Sequence, residues 1–288
     1  MTPELQMPEW LLQYAAIHAG EKTWDDYSFE ERTCKGWLTP FLMRIETRYW
    51  GRWEYWVRTL EAGELLDDPI PQIAYLGEGD SDNSRSDAMK MLRNCVESHH
   101  CYSTSARLPD FFEWLLWGFG DTGQEERARI DEKVNEHWYR TFNLGLMIAC
   151  PSDYLGELLS ERKGSGKWNN PNAFYPTPHN VVDMMTKMTM HDIGDRKEMS
   201  VMDPCVGTGR MLMYASNYSV NLYGVDNDYV CVKACTVNGY LYMPWLVRPA
   251  PWLKASEGER TADVVDEIQY VKPPALQVIK NQDQMRLF

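Results

Sequence analysis

Glu198-Met-Ser-Val-Met-Asp-Pro-Cys-Val-Gly-Thr-Gly-Arg210 is the stretch on which the fold of this chain turns. Its first six residues read as a short buried strand ending on a carboxylate, Asp203, and the residues from Gly207 onward open a helix to about Ser216. The turn between them carries two glycines, which removes the Cβ atoms that would hold a ligand away from the backbone and the helix N-terminus. Outward from there, Val220-Asn-Leu-Tyr-Gly-Val-Asp226 is a second strand and Tyr229 to Leu241 a second helix. Strand, helix, strand, helix predicts an α/β unit with a parallel sheet. The second strand also ends on a carboxylate. Asp226 follows Asp203 by 23 residues, where an α/β nucleotide-binding unit places the acceptor for ribose hydroxyls.

Upstream, Asp153-Tyr-Leu-Gly-Glu-Leu-Leu predicts a helix capped by Asp153 or Ser152. A Gly-, Lys- and Asn-rich loop follows over 163–172. Asn172-Ala-Phe-Tyr-Pro-Thr-Pro-His is then an extended aromatic and proline segment leading into a helix over Pro178 to Met190. Residues 1–150 differ in character. Trp10 to Tyr14, Phe41 to Leu60, Ala88 to Val96, Phe111 to Trp117 and Glu125 to Phe142 repeat apolar residues at helical spacing, and Leu66 to Arg85 reads as a loop. Downstream of the second strand and helix, an acidic helix is expected near Ala262 to Tyr270, then a polar tail. The division is therefore a helical, Trp-rich, acidic domain over 1–150, an α/β domain over 151–271, and a flexible tail over 272–288.

Four motifs in this order resemble a known family. Asp153-Tyr-Leu-Gly-Glu-Leu-Leu, Phe174-Tyr-Pro-Thr-Pro-His-Asn-Val-Val, Val201-Met-Asp-Pro-Cys-Val-Gly-Thr-Gly-Arg-Met-Leu and Tyr223-Gly-Val-Asp with Asn238 downstream are together similar to the adenine-N6 DNA methyltransferases, above all the modification subunits of type I restriction systems. The resemblance spans about residues 153 to 242 and implies a partial Rossmann-like methyltransferase unit that binds S-adenosylmethionine. It implies that Phe174, Tyr175 and Thr177 with Asp203 and Pro204 flank the methionine end. Gly207 and Gly209 would let the cofactor approach, and Asp226 with Asn227 would hold the ribose. Enzymes of this family hold the target base with a D/N/S-P-P-Y/F/W tetrad, whose polar group accepts the amino hydrogens while its ring stacks on the flipped base. This chain has no such string. Its nearest approaches are Lys272-Pro-Pro-Ala, with a cation for the acceptor and a methyl for the ring, and Asp68-Pro-Ile-Pro. The 46 residues after Tyr242 are also short for the remaining strands and helices of a full sheet. The catalytic residues are thus unassigned, and the expectation is a methyltransferase-like protein of DNA modification, restriction or replication machinery, incomplete by itself. The alternative is an active adenine methyltransferase, or its subunit, with a divergent or partner-supplied tetrad.

Composition narrows the partners. The 288 residues are 44% hydrophobic and 12% aromatic, with 12 Trp, which excludes a disordered chain. No apolar run reaches the roughly 18 residues of a membrane span, and the start lacks the basic and apolar blocks of a signal peptide. Seven Cys, an odd number without regular spacing, fit reduced thiols in the cytoplasm. Residues 1–150 carry 26 acidic against 15 basic side chains and residues 151–288 carry 16 against 14, so −11 of the net −13 lies in the first half. That half repels phosphate backbones, and DNA is expected to be reached through a partner protein such as other restriction-modification subunits. Arg44, Arg48 and Arg52 among Tyr49, Trp50, Trp53, Tyr55 and Trp56 offer a base-stacking stripe, but Trp at this density reads better as core. Cys95-x-x-x-His99-His100-Cys101 lacks the spaced Cys pairs of a zinc site, so no metal is expected. Gln284-Met-Arg-Leu-Phe288 resembles the pentapeptide that docks bacterial proteins on the sliding clamp, with Gln284 for the rim and Leu287 and Phe288 for the apolar pocket.

Overall fold

The computed structural model describes residues 34–77, 83–99, 107–163, 174–190, 197–253 and 268–270. Expectations about Trp10 to Tyr14, the 164–173 loop, His100, Cys101 and the tail with Gln284, Leu287 and Phe288 lie outside these residues. The helices run α1 Thr39–Tyr49, α2 Arg52–Ala62, α3 Asn83–Ser98, α4 Arg107–Gly118, α5 Glu132–Thr141, α6 Leu144–Ala149, α7 Tyr154–Lys163 and α8 His179–Met190. Then β1 Ser200–Asp203, α9 Arg210–Ala215, β2 Asn221–Asp226, α10 Tyr229–Tyr242, α11 Pro244–Val247 and β3 Ile268–Tyr270 complete the order.

Three sequence expectations are corrected. The periodic run from Phe41 to Leu60 is two helices broken at Trp50-Gly51. The buried Glu46 carboxylate accepts from the backbone N–H of Arg52 at 2.7 Å and of Trp53 at 3.0 Å, so one helix supplies the cap that starts the next. Burial pushes the Glu46 carboxyl up against those two donors, which pull it down. The run from Glu125 to Phe142 is helical only from Glu132, because Asp131 accepts from Lys133 N at 2.8 Å and fixes the start there. Residues 268–270 are a strand rather than part of an acidic helix, since their backbone groups pair with Gly224 to Asp226.

The sheet is parallel, in the order β1-β2-β3, with Asp203 opposite Gly224 and Asp226 opposite Tyr270. Among the described residues β1 pairs only with β2, and it is correspondingly less buried than its sequence predicts: Met202 is 46% exposed. Helix α10 has apolar residues on every side and is enclosed, packing on α4, α9 and α11 and on both β2 and β3. The hydrophobic core therefore runs without interruption from the helical part into the α/β part.

Arg52 crosses that boundary. Its guanidinium, with no exposed surface, donates to Pro71 O at 2.8 Å, Ser216 Oγ at 2.6 Å, Tyr242 O at 2.7 Å and Asn217 Oδ1, and lies 5.1 Å from the Trp245 ring centroid. The carbonyl of Tyr242 ends α10, where the helix dipole favours a cation. Trp53, Tyr55 and Trp56 are buried beside it, so the arginine and tryptophan stripe is core at its Arg52 end.

Candidate functional site

The carboxyl ends of β1 and β2 open on a cleft of about 600 Å³. Phe174, Tyr175 and Thr177 form one wall; Asp203, Pro204, Gly207, Asp226 and Asn227 form the floor and the opposite wall. The structure thus brings eight of the nine sequence-predicted residues into one depression, although they come from segments up to 53 residues apart. A ligand crevice at the strand carboxyl ends is what an open parallel sheet provides.

The two glycines divide the labour. Gly207 has φ +53°, and a Cβ there would stand 3.2 Å from Phe174 Cε2, so the missing side chain keeps the cleft open against its aromatic wall. Gly209, the ninth predicted residue, does not line the cleft. Its φ is +86° and a Cβ would meet Cys235 Sγ at 2.7 Å, so it lets α9 seat against α10. Burial pushes the Cys235 thiol well above its usual range, which leaves it a packing residue. Cys95 is similar: burial pushes it up to about 12. His99, four residues on, is held at 2.8 Å by Asp110, and among the described residues no three His, Cys, Asp or Glu side chains are grouped to hold a metal ion.

Asp226 is held from both sides. One carboxylate oxygen accepts from Gly207 N and the other from Asp228 N, each at 2.8 Å, which fixes the group and leaves each oxygen a further acceptor position. Asp203 accepts from Cys205 N at 3.0 Å. Burial first, and then the charge of Asp226, push the Asp203 carboxyl above the usual carboxylate range, partly offset by that N–H. Asp228, which also lines the cleft, caps α10 by accepting from Val230 N at 2.9 Å. Three carboxylates line the cleft, and Arg210, which also lines it, is already paired with buried Asp153, so the floor favours hydroxyls and cations over phosphates.

What the sequence did not reveal lies behind the floor. Asp153, which opens the first family motif and is expected as a cap, does cap α7 through Gly156 N at 3.0 Å, whereas Ser152 instead donates to Leu76 O. The same carboxylate, fully buried, also accepts from Thr208 Oγ1 at 2.7 Å, Arg210 Nε at 2.9 Å and Asn238 Nδ2 at 2.9 Å. Arg210 then donates through Nη1 to Thr177 O at 2.8 Å, and Asn238 to Thr208 O at 2.8 Å. One ion pair thereby ties the glycine turn, α7, α10 and the Phe174 wall together. Spacing in sequence carries no signal for this, because its members lie 55 to 85 residues from Asp153.

The model of the N-6 DNA methylase family matches residues 161–243. That segment is of the N-6 DNA methylase family. Searches of curated proteins and of solved structures give no match. The methylase segment holds the glycine turn, both strand-end aspartates and the Phe174 wall, while Asp153 enters it from outside. No described helix of the protein is long and apolar enough to cross a membrane.

Proposed function

We propose that the methylase segment binds S-adenosylmethionine in the cleft and that the protein is a DNA adenine-N6 methyltransferase-like component, catalytically incomplete by itself. The observation that carries the cofactor reading is Asp226, a strand-end carboxylate fixed by the Gly207 N–H and facing the cleft that Asp203 and Phe174 line. The cleft volume lies in the range of small-molecule sites. The acceptor set fits this cofactor rather than a phosphorylated nucleotide: S-adenosylmethionine carries ribose hydroxyls, an ammonium and a sulfonium beside a single carboxylate, and no phosphate. Asp226 with Asn227 would take the ribose, Asp203 and Pro204 with Thr177 the methionine end, and Phe174 would close the wall opposite Gly207. When bound, the cofactor supplies an electrophilic methyl group. The order β1-β2-β3 with helices between successive strands supports half of a doubly wound, Rossmann-like sheet.

Titration calorimetry with S-adenosylmethionine and with its demethylated product tests this. Both ligands should bind, and silence from both at millimolar concentration on folded protein would refute the reading. Incompleteness is tested separately. The missing base-holding tetrad predicts that the purified chain transfers no radiolabelled methyl group to double-stranded DNA. Label appearing on adenine would favour a divergent tetrad, and activity restored by a partner chain would favour the subunit form. The same proposal assigns Gln284, Leu287 and Phe288 to a sliding clamp, a reading that a pull-down unchanged by their deletion would remove.

A further inference from the structure

We propose that Arg85 and Arg93 of α3 are positioning residues for the methylase cleft: their ion pairs to α7 set the register at which Asp153 meets the glycine turn, so that the helical part governs cofactor affinity. This rests on the cofactor reading above. Neither arginine lines the cleft, and both lie outside the segment that matches the methylase family.

Helix α7 carries the polar hub at its head and the ion pairs along its side. Asp153, its N-cap, is the carboxylate on which Thr208, Arg210 and Asn238 converge. Glu157 and Glu161, one turn further on, pair with Arg85 and Arg93 of α3. The first pair is nearly closed to water, with 10% and 15% of the two side chains exposed. The second is two-pronged: Arg93 donates Nε to Glu161 Oε2 at 3.0 Å and Nη2 to Glu161 Oε1. Helix α3 is itself fixed in the aromatic core, where Ala88, Leu92 and Cys95 are fully buried and Trp138 Nε1 donates to Cys95 O at 2.7 Å.

Apolar packing alone does not set this register. Tyr154, Leu155, Leu158 and Leu159 of α7 are buried, but such contacts are non-directional and survive a small slide. A slide by one residue moves a helix about 1.5 Å, enough to carry Asp153 out of hydrogen-bond range of its donors. Two ion pairs on successive turns resist both sliding and rotation, the two-pronged one through its planar geometry. The other end has no slack: a Cβ on Gly156 would overlap the Asp153 carboxylate and stand 2.8 Å from Thr208 Oγ1. A displaced α7 therefore disturbs Thr208 in the glycine turn directly, and Thr177 in the cleft wall through Arg210.

The test is titration calorimetry of the full chain with the demethylated cofactor product, beside thermal melting of the same samples. Arg85→Met should bind roughly tenfold more weakly than wild type. Adding Glu157→Leu turns the broken pair into an apolar contact, which should restore the melting temperature but not the affinity, because the groups that hold the register are gone. The exposed pair decides even where Arg85→Met fails to fold: Arg93→Glu should weaken binding about threefold, and Arg93→Glu with Glu161→Arg should return it to the wild-type value. Wild-type affinity in Arg85→Met or Arg93→Glu, affinity recovering together with stability in the apolar pair, or a charge swap that regains nothing would overturn the proposal while leaving the cofactor reading intact. Failure of wild type itself to bind the product would remove that reading and this proposal with it.

Discussion

Around Trp114 the helical part is built from ring upon ring: Trp37, Phe111, Trp138, Tyr139 and Phe142 all lie with centroids within about 6 Å of it, and its one polar atom donates to Asn135 Oδ1 at 2.9 Å. Around Asp153 the α/β part is built from the opposite material, a fully buried carboxylate with four donors. Both are dense and closed to water. The apolar cluster tolerates reshaping, because dispersion and burial are non-directional. The polar hub does not, because each of its groups is costly once a partner is removed. The difference shows where the molecule holds geometry rather than bulk: beside the cleft.

The strongest way to break this comparison is Trp114→Ala. It should cost about 3–5 kcal/mol of stability, measured by denaturant unfolding, with cofactor affinity of the folded protein unchanged. A lost affinity at intact fold would mean that the aromatic cluster also sets the cleft.

Next in size, Asp153→Asn leaves Arg210 buried without its charge partner and should cost about 3 kcal/mol, together with roughly tenfold weaker cofactor binding. Adding Arg210→Met should recover much of the stability but not the binding, since the clamp on Thr177 O is gone. Recovery of both would reduce the hub to a folding device.

Asp226→Ala sharpens the contrast from the cleft side. Its carboxylate is part-exposed, so stability should change little, while cofactor binding should weaken by about 1–3 kcal/mol through loss of charge-assisted bonds. An unchanged binding isotherm would place the ribose elsewhere.

Smallest is Asp203→Asn. The folded protein raises this carboxyl, so the ionised group opposes folding above its folded pKa, and the penalty fades as pH falls and the group takes up its proton. The variant should melt slightly higher than wild type at pH 7, with the gain disappearing toward pH 4, and should bind the cationic cofactor less well. A melting temperature lowered at pH 7 would contradict the sign.

Asp203, Gly207 and Asp226 were legible in sequence because each is a local event: a strand end, a turn, a second strand end 23 residues on. The parallel pairing follows from the same alternation, since a crossover helix returns the chain in the same direction. Phe174 and Tyr175 were legible as cleft residues only through resemblance. The strand at 268–270 was misread, as three residues carry too little periodicity to outweigh an acidic helical pattern beside them.

By itself, then, the sequence determined the α/β alternation, the carboxylates at the ends of both strands and the backbone freedom of the turn between them. The tertiary structure decided that Gly209 serves packing and Gly207 the cleft, that Arg52 is buried rather than displayed, and that Asp153 holds the turn from behind. The physical reason is range. Strand ends, caps and turns are fixed by neighbours a few residues away, whereas the worth of a buried charge depends on donors that only folding brings within 3 Å.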